Sequence, residues 1–179
     1  MKTIFLLRHA KSSWDDPVER DFDRPLNKRG RRAAETIGRY IRDNDVAFDQ
    51  VVASPAVRVV ETLDGVEAGA GRRLAAAFDR RIYMASALSL LDIVHETDDA
   101  SAALLLVGHN PGLEDLVFLL TPPDSGALRS EVDVKYPTAT LAEMEFDVDR
   151  WEDIDEGTGR LVRLVRPRDL DPGLGPDGS

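Results

Sequence analysis

Short apolar runs separated by helix-patterned stretches constrain this chain more than any other feature. Ala103 to Val107 is the strongest of them. Such a run, short and without a helical period, reads as a buried strand. Residues Thr3-Ile4-Phe5-Leu6-Leu7 and Gln50-Val51-Val52-Ala53 read the same way. Between the last two, residues 28–43 place Ala33, Ile37, Tyr40 and Ile41 at spacings of three and four, one apolar helix face, with Asn27 placed to cap it. Ser54-Pro55 reads as a helix start, Ser as cap and Pro in the first turn. That helix runs to about Ala68 and is ended by Gly69 and Gly71. A short strand is expected over 80–84, and a helix over 86–97 with Leu88, Leu91 and Val94 in the core. Pro111-Gly112 opens a helix over Leu113 to Leu120, closed by Pro122-Pro123. Strands follow over Ala139 to Phe146 and Arg160 to Val165. Strands alternating with helices indicate an α/β domain with a mainly parallel sheet. A single domain over 1–166 is expected, and the Pro-, Gly- and Asp-rich stretch 167–179 is expected to be a disordered tail.

Composition removes several classes of function. The chain has 179 residues, 42% of them hydrophobic, enough for one sizeable core. No run approaches the about 18 to 20 apolar residues of a membrane helix. The formal net charge of −10 argues against a general nucleic-acid binder, which needs excess Lys and Arg to neutralise phosphates. The absence of cysteine removes disulfides, thiolate nucleophiles and cysteine-ligated zinc. The N-terminus lacks the layout of a signal peptide, so a cytoplasmic, membrane-free protein is expected.

In parallel sheets ligands bind beyond the carboxyl ends of the strands, and three such ends carry reactive residues. The first run ends in Arg8-His9, followed by Ala10-Lys11-Ser12-Ser13-Trp14. The second ends in Ser54-Pro55-Ala56-Val57-Arg58, then Glu61-Thr62. The run at 103–107 ends in Gly108-His109-Asn110-Pro111-Gly112. Two of the three histidines sit at these ends. Phosphoryl transfer needs a nucleophile in line with the leaving group and positive donors around three charged oxygens. An imidazole nitrogen can form a phosphohistidine. Arg8 and Arg58 supply forked donors that match phosphate oxygens, and Arg58 falls in a first helical turn, which favours anions. His109 is a further donor if protonated beside a dianion. Arg8 and His9 share one phosphate only if the chain leaves the strand there, because adjacent strand residues point to opposite faces. His95 has no partner motif, and Trp14 reads as a packing residue or pocket wall.

With these pieces in order, the chain resembles the histidine phosphatase, or phosphoglycerate-mutase-like, superfamily, and within it the short SixA-type phosphohistidine phosphatases. The matching pieces are Leu7 to Trp14, Asp23-Arg24-Pro25-Leu26-Asn27 with Gly30, Ser54 to Thr62, and Val107 to Gly112. The resemblance covers about residues 4–120. It implies a three-layer sandwich with a mainly parallel central sheet flanked by helices. It implies that His9 is the phosphorylated nucleophile, that Arg8, Arg58 and His109 bind the phosphoryl group, and that no metal or other cofactor is needed.

The chain departs from the family pattern at three places. Ala10 stands where the best-known motif has Gly. Asp79 to Met84 shows no obvious counterpart of the mutase branch's proton-donating Glu. Asn110 replaces the Asp that follows the second His in the acid-phosphatase branch. The general acid is therefore unassigned, with Asp15 and Asp23 as candidates. Asp15 stands where many relatives have a phosphate-contacting Asn, and Ser12 is a further candidate phosphate contact. A general acid matters most for a poor leaving group such as an alkoxide, whereas a protonated phosphoimidazole leaves as neutral imidazole. This favours phosphohistidine on a protein partner, and the short chain leaves little room for a cap over the pocket. The alternatives are a phosphatase of a small phosphorylated metabolite, a non-catalytic module binding a phosphorylated partner, a metal-dependent hydrolase, for which no His-x-His or His-Glu-x-x-His spacing exists, and a mutase.

Overall fold

The apolar runs become the strands of one sheet in the computed structural model, which describes residues 1–18 and 20–175. In chain order the elements are β1 (Lys2–Arg8), α1 (Lys28–Asp43), β2 (Gln50–Ala53), α2 (Val57–Ala70), β3 (Ala77–Phe78), α3 (Ala87–His95), β4 (Ala103–Gly108), α4 (Gly112–Leu120), α5 (Ala127–Val134), β5 (Leu141–Phe146), β6 (Arg160–Val165) and the single turn α6 (Pro167–Leu170). The strand order is β3-β2-β4-β1-β5-β6. β1 to β4 pair in parallel, and β5 runs antiparallel to both its neighbours.

The continuous apolar character of β1 follows from its place inside the sheet, covered on both faces. Phe5 and Leu7 pack into a cluster with Ala34 and Ile37 of α1 and Val59 and Val66 of α2. Ile4 and Leu6 pack on the opposite side with Leu90 and Val94 of α3 and Leu113 and Leu116 of α4. The result is the expected three-layer α/β sandwich. α1 and α2 meet backbone to backbone. A Cβ on Gly69 would run into the Glu35 carbonyl, and one on Gly38 into the Val66 carbonyl. Asn27 caps α1, its side chain accepting from the Gly30 amide at 2.7 Å.

Several expectations are corrected. Ser54 is not the N-cap of α2, which is Ala56; the Ser54 hydroxyl accepts from the Ala56 amide at 3.2 Å and also bonds His109. Gly69 lies inside α2, and only Gly71, at φ +69°, ends it. The strand expected at 80–84 lies earlier, at Ala77–Phe78, and Arg80–Ile82 form a 3-10 turn. Leu88 is 65% exposed, because the buried face of α3 is Leu90, Ile93 and Val94. Helix α5 had no sequence signal, since it buries Val132 alone. The stretch expected to be a disordered tail forms α6 and a 3-10 turn, Pro172–Leu174. Leu174 is buried in the α1-side cluster, and the Asp171 carboxylate accepts from Arg32 Nε at 2.9 Å. Buried Pro167 and the Gly175 carbonyl, which accepts from Arg29 at 3.3 Å, add to this docking of a Pro-stiffened segment; residues 176–179 lie outside the described residues.

Candidate active site

The central three strands, β2, β4 and β1, are parallel neighbours, so their carboxyl ends share one edge. The register places Arg8 beside Gly108 and Ala53 beside Val107. At His9 the chain leaves the strand. The His9 amide still donates to the Gly108 carbonyl at 3.0 Å, but the Ala10 amide donates to Thr62 Oγ1 of α2 at 2.9 Å. The departure lets Arg8 and His9 line one cleft despite being adjacent in sequence. That cleft, about 290 Å³, is also lined by Ser12, Arg58 and His109. Arg24, Trp14 and Asn110 complete much of its wall.

His9 has a defined tautomer. Its Nδ1 lies 2.7 Å from the Ala10 carbonyl, which only accepts, so Nδ1 carries the proton and Nε2 keeps its lone pair. Burial, with the Arg8 and Arg58 charges, pushes the ring's pKa down to about 3, so it is neutral at ordinary pH. His109 lies with its ring centroid 5.4 Å from that of His9. Its Nδ1 is 3.3 Å from Arg58 Nη2, which only donates, so Nδ1 accepts and Nε2–H donates to Ser54 Oγ at 2.8 Å. Burial and the nearby Arg58 lower its pKa to about 4.

Three guanidiniums converge on the cleft. Arg8 donates to the Tyr136 carbonyl at 3.0 Å. Arg58 donates to the Asp21 carbonyl and to Asp21 Oδ2 at 2.9 and 3.0 Å. Arg24 donates to Ser12 Oγ and pairs with Asp21 Oδ1 at 2.8 Å. Each leaves a buried Nε without a hydrogen-bond partner. A buried, unpaired donor is costly, and an anion in the cleft offers acceptors close by. Asp21 ties the cluster together: Tyr83 donates to it at 2.8 Å, and the Tyr83 ring meets His109 edge to face at 5.4 Å. Arg24 first, then Tyr83 and Arg58, hold the Asp21 carboxyl well below the usual carboxylate range.

Thus Arg8, His9, Ser12, Arg58 and His109 come together as the sequence indicated, while Asp15 and Asp23 do not. Asp15 is exposed and does not line the cleft. Asp23 pairs outward with Arg20 at 2.9 Å. Among the described residues, no Asp or Glu lines the cleft, and no group of three or more His, Asp or Glu gathers as a metal site. His95 does not line the cleft; its Nε2 bonds the Ile154 carbonyl at 2.8 Å. Sequence reasoning missed Arg24, although it lies in a quoted motif, and Asp21 and Tyr83, whose contacts span 37 and 62 positions. No local pattern signals such contacts.

The comparisons agree with this geometry. The model of the histidine phosphatase superfamily (branch 1) matches residues 4–82. An uncharacterized protein of Mycobacterium tuberculosis is 32% identical over 164 residues, covering 90% of this chain and 100% of that protein. The structure of the SixA protein of Nakamurella multipartitia superposes with a TM-score of 0.79 at 27% identity, covering 93% of this chain and 96% of that one. For SixA of Agrobacterium tumefaciens the TM-score is 0.76 at 28% identity, with 93% and 98% covered. These relatives support a phosphatase hydrolase with a phosphorylated substrate as the class of activity. The chain belongs to the histidine phosphatase superfamily, in its SixA-type branch.

Proposed function

We propose that this chain is a metal-independent phosphatase that works through a phosphohistidine on His9 and acts on phosphohistidine in a protein partner. The observation that carries the reading is the His9 tautomer: a neutral imidazole with its Nε2 lone pair free, in a cleft walled by Arg8, Arg24 and Arg58. His9 Nε2 attacks phosphorus, and the substrate's P–N bond breaks with its electron pair staying on the substrate imidazole. With the other ring nitrogen protonated, that ring leaves neutral. Water then attacks phosphorus, the bond to Nε2 breaks, and inorganic phosphate departs. Arg8, Arg24 and Arg58 hold the equatorial oxygens. A bound dianion raises the affinity of His109 for a second proton.

The substrate assignment rests on the lining. Among the described residues no carboxylate lines the cleft, so they offer no conventional acid for an alkoxide, which suits a leaving group that needs none. The names of the two SixA-type relatives, as phosphohistidine phosphatases, point the same way. The test is turnover of phosphoramidate and of a phosphohistidine peptide, with chelator present, by wild type and His9→Ala. Loss of turnover in His9→Ala, with acid-labile phosphate trapped on wild type, is the expected result. Activity in His9→Ala, or its abolition by chelator, overturns the mechanism. Comparable rates on alkyl phosphates overturn the substrate and favour a small phosphorylated metabolite.

A further inference from the structure

Trp14 stands at odds with its residue type. It is 79% exposed, whereas the other tryptophan, Trp151, is fully buried, and it lines the same cleft as His9. It is also held in place. The Arg24 guanidinium lies 3.7 Å from the centroid of the indole, and Arg24 is itself 9% exposed and fixed by Ser12 and Asp21. One indole face therefore rests on an anchored cation, and most of the ring is open.

In-line displacement says what meets it. The leaving group departs opposite the attacking nitrogen. His9 is 8% exposed and Trp14 is 79% exposed in the same cleft, so the leaving group points away from the buried nucleophile toward the exposed rim. We propose that Trp14, seated on Arg24, is the platform on which an aromatic leaving group stacks, and that it determines preference for a phosphorylated ring over a phosphorylated chain. This rests on the function proposed above and extends it: that reading assigns the reacting groups, and this one assigns the residue that recognises the imidazole. Aromatic pairs prefer offset or edge-to-face contact, and an open indole at the rim offers both to an imidazole displayed on a protein surface.

The experiment compares kcat/KM on N-phosphoimidazole, a phosphohistidine peptide and phosphoramidate. All three break a P–N bond, but only the first two release a ring. In Trp14→Ala the ratio of N-phosphoimidazole to phosphoramidate activity is expected to fall by about twofold to tenfold, with the peptide following. Trp14→Phe is expected to keep most of the ratio. An unchanged ratio in Trp14→Ala, or an equal fall in Trp14→Phe, overturns the platform while leaving the phosphatase reading intact. Wild type that cleaves phosphoramidate but neither ring-bearing substrate removes both the platform and the phosphohistidine assignment.

Discussion

At the scale of single residues, the two buried histidines link the site to stability. Both have folded pKa values, about 3 for His9 and about 4 for His109, below the ordinary 6.5. Above pH 6.5 both rings are neutral folded or unfolded, and their contribution is constant. As pH falls below 6.5 the unfolded chain takes up protons that the folded chain refuses, so stability drops until pH approaches 3 to 4. Urea midpoints at pH 7.5 and 4.5 are expected to differ less in His9→Ala than in wild type; equal differences contradict the assignment. Over the same range His9 stays neutral in the free enzyme, so its titration removes no activity between pH 5 and 8. Arg58→Lys keeps the charge but loses the fork that spans the Asp21 carbonyl, Asp21 Oδ2 and His109 Nδ1. A lysine supplies no planar pair of donors, and kcat/KM is expected to fall about 10- to 100-fold, the loss of one or two charge-assisted bonds. A variant within threefold of wild type would show that charge alone suffices.

At the scale of elements, the site depends on how α2 is seated. It carries Arg58, and it carries Thr62, which receives the Ala10 amide where the chain turns away from β1. Gly69 lets α2 lie directly against the backbone of α1. Gly69→Ala pushes the helices apart and is expected to cost about 1–3 kcal/mol, read as a lower urea midpoint with an unchanged slope. Phosphoramidate turnover should fall with it as Arg58 shifts. A neutral result would mean that the two helices slide at no cost. The segment before β5 plays a similar part on the other wall: the Tyr136 carbonyl accepts from both Arg8 and Asn110, at 3.0 and 3.1 Å.

At the scale of the whole molecule, a net charge of −10 surrounds a cleft lined by Arg8, Lys11, Arg24 and Arg58. A locally positive cleft draws in a dianion, and salt screens that attraction over about 10 Å at 0.1 M. kcat/KM for phosphoramidate is expected to fall as ionic strength rises, with kcat little affected; a flat profile contradicts this. No helix among the described residues is long and apolar enough to cross a membrane. Truncation after Arg166 removes Leu174 and Asp171 from α1 and is expected to cost about 2 kcal/mol of stability, seen as a lower melting temperature. No change on truncation would mean that this segment contributes nothing.

Legibility in the sequence followed the range of the interaction. β1, α1, β2 and β4 were readable because local periodicity reports burial, and burial is what makes those elements. Arg8, His9, Arg58 and His109 were readable because each stands at the end of such an element, where a parallel sheet gathers its ligands. The second role of Ser54 is not legible locally: a cap rule finds its bond to the Ala56 amide but cannot see a histidine 55 positions away that shares the same hydroxyl. The order of residues 167–175 is not legible in composition, which averages over residues, whereas docking rests on particular ones such as Pro167, Asp171 and Leu174. The sequence by itself determined the layers, the edge of the sheet that bears the cleft and four of the groups that line it. Tertiary structure alone decided which nitrogen of His9 is free, that Asp21 and Tyr83 brace the arginines, that Asp15 and Asp23 stand aside, and that Trp14 rests on Arg24 at the rim. Those are contacts between side chains brought together by packing, and their distances and directions exist only once the sheet and its two helical layers have closed.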